Sequence, residues 1–236
     1  MLSKAGKEIL IKAVAQSIPT YTMSVFQLLM KLCDELEVMC AKFWWGQVGN
    51  ERKIHWQRWE KLTLSKKDGG MGFRDLRAFN LAMLAKQGWR LLRDNNSLVY
   101  HCLEARYFPR YHLFDAKGSP NCSFTWKSIV VALPILKSRC CWRVGSGHSI
   151  RVIGDKWIPN YPTNVPMHLV KDEAREVIVA KLIDQEFHAW GSEFIMDMFE
   201  KEDAKVICRI QLRRRYVEDL MIWLYHKKGL FTVKSA

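Results

Sequence analysis

Between Gly69 and Leu92 the chain reads GGMGFRDLRAFNLAMLAKQGWRLL, and this stretch restricts the fold more than any other. Its glycines reach backbone conformations closed to other residues, so a tight turn precedes whatever follows. Asp75 is a residue of the kind that caps a helix, and an unbroken helical pattern then runs to about Arg93. At about 100° per residue, Ala78, Leu81, Ala82, Ala85, Trp89 and Leu92 share an arc of roughly 100°. Lys86, Arg90 and Arg93 follow one another at i, i+4 and i+7 and form a stripe beside that arc. A helix with one buried face and cations on the next can hold phosphate. Taken singly, exposed Lys and Arg are mostly plain solvated surface.

Charge placement decides how much weight the stripe carries. The 236 residues have a net charge of +13. Counted along the chain, residues 1–50 are net +1, 51–117 net +7, 118–170 net +5 and 171–236 neutral. An excess gathered in the middle favours a polyanionic partner for that region, whereas a merely basic soluble protein would spread it. Seven cysteines with irregular spacing and no C-x-x-C pair exclude a secreted disulfide framework and imply a reducing, intracellular setting, nuclear or cytoplasmic. Cys33 and Cys40, seven apart on one helical pattern, read as buried thiols. The longest apolar run, 129–136, is too short to span a bilayer and contains Pro134, so no membrane partner is expected.

The rest of the chain is mostly helical in pattern. Residues 3–18 read as a helix capped by Ser3, with Ile9, Leu10, Ala13, Val14 and Ile18 as its buried side and i,i+4 pairs among Lys4, Glu8 and Lys12. Pro19 stops it. A second helical stretch covers about 22–45, where Leu32, Leu36, Met39 and Phe43 form a narrow stripe. The segment ERKIHWQRWEKL (51–62) mixes cations with Trp56 and Trp59, close behind Trp44 and Trp45. Aromatics among cations can stack bases, yet tryptophan is more often core. Helices follow at 96–107 and 123–138, the latter broken or kinked at Pro134. The period then changes. WRVGSGHSIRVIGDKW (142–157) reads as a β-hairpin around Gly145-Ser146-Gly147, with Arg143 and Arg151 projecting. Pro159, Pro162 and Pro166 mark a linker. Short helices of balanced charge fill 171–210, a basic run RRR occupies 213–215, and 221–236 reads as a second hairpin turning at Lys227-Lys228-Gly229. Its last strand stops abruptly, which reads as truncation with a loosely held tail.

Several chemistries are not written in the sequence. Two-metal phosphoryl transfer needs paired aspartates, and no Asp-Asp occurs. Acidic neighbours such as Asp34-Glu35 and Glu202-Asp203 read as solvated helix faces. The adjacent pairs His101-Cys102 and Cys140-Cys141 diverge on any regular element and make a poor zinc site. There is no G-x-x-x-x-G-K-[ST] phosphate loop and no G-x-S-x-G elbow, and GSGHS (145–149) is better read as a turn.

Taken together, LSKAGKEILIKAV (2–14), IPTYTM (18–23), AKFWWG (41–46), KIHWQRW (53–59), the 69–92 stretch, ARYFP (105–109), WRVGSGHSIRV (142–152) and DKWIP (155–159) resemble plant LINE-type non-LTR retrotransposon polyproteins. The resemblance is to the part just after the reverse transcriptase catalytic domain. WLYHKKGLFTVKSA (223–236) is similar to the opening of the zinc-binding segment that follows in that family. It implies a parent RNA-directed DNA polymerase, with Mg at the polymerase site and Zn in the downstream segment. Both sets of ligands would lie outside this chain, so the resemblance implies no cofactor and no catalytic residue here.

The expected architecture is α+β, mainly α-helical with two small β-hairpins. Its parts are a thumb-like or connecting domain over 1–158, with a hairpin near 142–153, a linker over 159–170, and a small helical part with the start of a zinc-binding segment over 171–236. The expected function is to grip template and primer, RNA or DNA, without sequence preference. Lys53, Arg58, Lys66, Lys67, Arg74, Lys86, Arg90, Arg106, Arg143 and Arg151 would contact phosphates, and Trp56 or Trp59 would stack on bases. A decayed retroelement relic and a host-adopted scaffold with a tryptophan-rich docking surface are the competing readings.

Overall fold

The computed structural model describes residues 2–49, 51, 53–110, 112–168, 170, 177–184, 186, 187, 189–212 and 217–236. The basic run at 213–215 lies outside them, as do residues 171–176 at the head of the expected short helices. Among the described residues the fold is mainly helical α+β with two small antiparallel two-stranded sheets. Two compact units divide the chain, one up to Ile135 and one from Leu136 to Ser235.

The first unit opens with α1 (Lys4–Leu10), whose Ser3 hydroxyl accepts from the Gly6 N–H at 3.2 Å. A π-helical turn, Ile11–Ala15, continues it. Such a wide turn rotates the side chains that follow. The burial departs from the simple periodicity: Ile11 is buried, while Ile9 and Leu10 ahead of the turn, and Ala13, Val14 and Ile18 within or beyond it, are exposed. Pro19 precedes α2 (Thr20–Met23), and α3 (Met30–Trp45) begins only after a break. Cys33 and Cys40 are buried on α3 as their spacing implies.

Asn80 explains the break. It is buried on α5, and its side-chain amide donates to the carbonyls of Met23 (2.8 Å) and Phe26 (2.9 Å) while its Oδ1 accepts from Leu28 N–H (2.9 Å). One side chain thus satisfies three backbone groups that a continuous helix would have paired internally.

After α3, the short α4 (Trp59–Thr63) leads to the glycine turn. Gly70 approaches the backbone of Leu64 so closely that a Cβ there would lie 2.1 Å from its carbonyl oxygen. The helix beyond it, α5 (Leu76–Arg93), starts where Asp75 accepts from Ala78 N–H at 2.9 Å. It is buried more widely than the sequence arc suggests, because Leu76, Asn80, Leu84 and Leu91 form a second buried strip. Lys86, Arg90 and Arg93 occupy the face that remains exposed. α6 (Leu98–Tyr107) and α7 (Phe124–Arg139) complete the helices of this part, and α7 runs through Pro134 as one helix.

The second unit contains β1 (Cys140–Arg143), β2 (Ile183–Asp184), β3 (Ala189–Trp190), α8 (Ser192–Met198), α9 (Lys201–Cys208) and β4 (Leu220–Trp223). The strand pairing differs from two local hairpins. β1 pairs antiparallel with β4, Cys140 opposite Trp223 and Arg143 opposite Leu220, so each expected hairpin contributes one strand to a single sheet. The reason lies in the GSG loop. Asp219 accepts from the N–H groups of Gly145 (2.8 Å), Gly147 (2.8 Å) and Ser149 (2.9 Å). Those bonds hold the loop against the residue preceding β4. Gly147 (φ 76°) must be glycine here, since a Cβ would come within 2.5 Å of Ala180 N.

The chain end is tied down rather than loose. Phe231 is buried edge-on against Trp223, and Trp223 Nε1 donates to Ser235 Oγ at 2.9 Å. Asp203, expected on a wet helix face, is fully buried. It accepts from Met167 N–H (2.8 Å), His168 N–H (2.7 Å) and the Tyr161 hydroxyl. These bonds supply the compensation that a buried carboxylate needs.

Candidate nucleic-acid interface

In the first unit, a cluster of Ile11, Cys40, Trp44, Leu62 and Phe73 supports a group of cations. Lys4 Nζ sits 4.5 Å above the Trp44 ring and 4.7 Å above Trp45, and donates to the Trp44 carbonyl at 3.2 Å. Lys7 lies 5.8 Å from the Phe43 ring and Lys12 lies 5.7 Å from Phe73. Burial between the rings, and then the neighbouring Lys7, lower the Lys4 pKa. Glu8 accepts from both Lys12 (2.7 Å) and Lys66 (2.8 Å), and these two partners hold its carboxyl below the usual carboxylate range. From the sequence, Lys4 and Lys12 read only as helix-surface charges, and Lys7 is not singled out. Their place over aromatic rings comes from packing against residues distant in sequence, Phe43, Trp44, Trp45 and Phe73.

The segment 53–58 lies beside this group through His55, which stacks on Trp45 at 6.0 Å and 23°. Lys53 and Arg58 are exposed. Trp56 is 77% exposed, and all ten tryptophans are described, so its burial can be compared with the rest. The others are buried or half-buried. Trp59 stacks on Phe73 at 5.0 Å and 8°, with its Nε1 buried and unpartnered. A tryptophan-rich outer surface of the kind a docking scaffold would need is therefore not what these residues form.

The remaining cations are spread over both units. Lys67 is exposed in the turn before α5, and Lys86 is exposed on α5. Arg90 donates to Gln87 at 3.2 Å. Arg74 is committed to the Gln16 carbonyl (3.1 Å) and to the Phe79 ring (4.7 Å). Arg106 lies 5.5 Å from the Tyr107 ring. In the second unit Arg143 is exposed, and Arg151 holds Asp155 through two nitrogens, at 3.2 and 3.3 Å.

Among the described residues, three other candidate chemistries can be compared with the geometry. The N–H groups of the GSG loop that could cradle a phosphate are bound to Asp219. Burial pushes the thiols of Cys140 and Cys141 up to about 12, far from a nucleophile's range. Among the described residues no three of His, Cys, Asp or Glu converge to hold a metal ion, and no helix is long and apolar enough to cross a membrane.

Against known proteins, the chain is 38% identical over 143 residues to the "Uncharacterized mitochondrial protein AtMg00310" of Arabidopsis thaliana. That alignment covers 60% of this chain and 93% of that protein. The chain belongs to the family of that protein. It is also 29% identical, over 250 aligned positions, to the "Putative ribonuclease H protein At1g65750" of the same plant. All of this chain is matched there, but only 38% of that relative's length. Such relatives are typical of retrotransposon-derived plant sequences. No family model and no solved structure matches the chain.

Proposed function

We propose that this member of the AtMg00310 family is a sequence-tolerant nucleic-acid grip, a segment related to retrotransposon reverse transcriptases that holds template and primer without catalytic residues of its own. The observation that carries the reading is the placement of cations in the first unit. The one exposed face of α5 carries Lys86, Arg90 and Arg93. Lys53, Arg58 and Lys67 are exposed nearby in sequence, Lys4, Lys7 and Lys12 lie over aromatic rings, and Lys66 joins them through Glu8. Phosphate contacts of this type carry affinity but no sequence information. Among the tryptophans, Trp56 is exposed enough to stack on an unpaired base. Arg74 and Arg151, whose guanidinium groups already have partners, would add less.

The reading also follows the relatives. A match to the full length of this chain within a longer protein named for ribonuclease H fits a segment that serves a nucleic-acid enzyme. Fluorescence anisotropy with labelled single-stranded RNA, single-stranded DNA and an RNA–DNA hybrid tests it. The Lys86→Ala/Arg90→Ala variant should weaken binding to all three by a similar factor. Loss confined to one sequence, or no loss at all, would refute the grip.

A further inference from the structure

We propose that the chain forms a two-fold dimer through an antiparallel pairing of α3 with α3 of a second copy. Leu29, Leu32, Leu36, Met39 and Phe43 follow one another at spacings of three, four, three and four residues, the repeat of a helix–helix seam. In the structure four of these five side chains are uncovered, while Leu36 is half-buried beside Met23, Cys33 and Leu76. Leu29 is 74% exposed, Met39 66%, Leu32 41% and Phe43 38%. Leu10, Val14 and Ile18 form the opposite bank, and the groove between the banks holds about 620 Å³. An uncovered apolar surface of this extent marks an interaction site, and the seam spacing specifies a helix as occupant.

The charges beside the seam select a second copy. Glu35 and Lys42 each precede a seam residue, on the flank away from the chain's own core. Neither has an ion-pair partner among the described residues. The other flank, Cys33 and Cys40, is buried in the chain itself. With Leu36 opposite Met39 of the second copy, and Leu32 opposite its Phe43, Glu35 comes beside Lys42 of the second copy. Two-fold symmetry repeats that pair. A parallel pairing would set Glu35 against the buried Cys40 flank instead, with no charge to meet it. The same antiparallel arrangement brings the two copies of Leu10, Val14 and Ile18 together, closing both grooves.

Sedimentation of the full chain tests this at tens of micromolar and about 0.3 M salt, where repulsion between two basic chains is screened. The expected species is a dimer. Met39→Lys should give a monomer of unchanged helicity by circular dichroism, since Met39 is exposed and supports no core. Glu35→Lys alone and Lys42→Glu alone should each weaken association about tenfold, and the double reversal should restore it, because each pair is rebuilt with its signs exchanged. A monomeric parent chain, or association indifferent to the single reversals, overturns the proposal. In either case the groove serves another partner or another register.

Discussion

The side-chain carbonyl of Asn80 accepts the backbone N–H of Leu28 at 2.9 Å, across two elements far apart in sequence. The same amide group also holds Met23 and Phe26. Replacing Asn80 with Leu would leave buried backbone groups without partners, and each such group costs about 1–3 kcal/mol. The expected loss for Asn80→Leu is about 3 kcal/mol of unfolding free energy in urea titration. A loss below about 1 kcal/mol would mean that the α2–α3 break is held some other way.

Asp219 plays the matching role in the second unit. Asp219→Ala frees the N–H groups of Gly145, Gly147 and Ser149 and should lower the melting temperature, with fast amide exchange appearing first at those three positions. Protection unchanged at Gly147 would contradict the assignment.

Thiol reactivity separates the cysteines. Cys102 is exposed, whereas burial pushes Cys140 and Cys141 up to about 12. At pH 8 a thiol reagent should modify Cys102 rapidly in the folded chain and reach Cys140 and Cys141 only on unfolding. Mass mapping of the modified peptides reads this directly, and early labelling of Cys140 would count against its burial.

Glu8 sets a balance between stability and binding. Lys12 and Lys66 lower its pKa, so its contribution to stability is present above the ordinary carboxylate range and is lost as pH falls through the lowered value. Glu8→Gln removes an anion from among Lys4, Lys7, Lys12 and Lys66. The variant should be slightly less stable at pH 7, with little of that difference left in acid. It should bind nucleic acid a few-fold more tightly, because Lys12 and Lys66 no longer have a carboxylate to hold. Weaker binding would show that the cluster does not face the ligand.

Much of this was legible from local pattern. Asp75 caps α5, Cys33 and Cys40 are buried, and Lys86 and Arg90 are exposed, each as spacing along one helix dictates. The pairing of β1 with β4 was not legible, since alternation marks a strand without naming its partner. Asp203 and Asn80 were hidden for a related reason: a polar residue on a helix signals burial only through backbone groups supplied from elsewhere. The outward turn of Val14 and Ile18 follows a π-turn that no residue type announces. In the candidate interface, the sequence located the cations of the middle region but not Lys4 and Lys7, whose positions over aromatic rings arise from packing between α1 and α3.

The most direct test of the central claim is the salt dependence of binding, measured on the full chain with a labelled RNA–DNA hybrid. If six or more phosphates are gripped, affinity should fall about a thousandfold between about 50 and 200 mM salt, and Lys86→Ala/Arg90→Ala should flatten that slope. Affinity that hardly changes over the same range, or an unaltered slope in the variant, would contradict a phosphate grip built on the first unit.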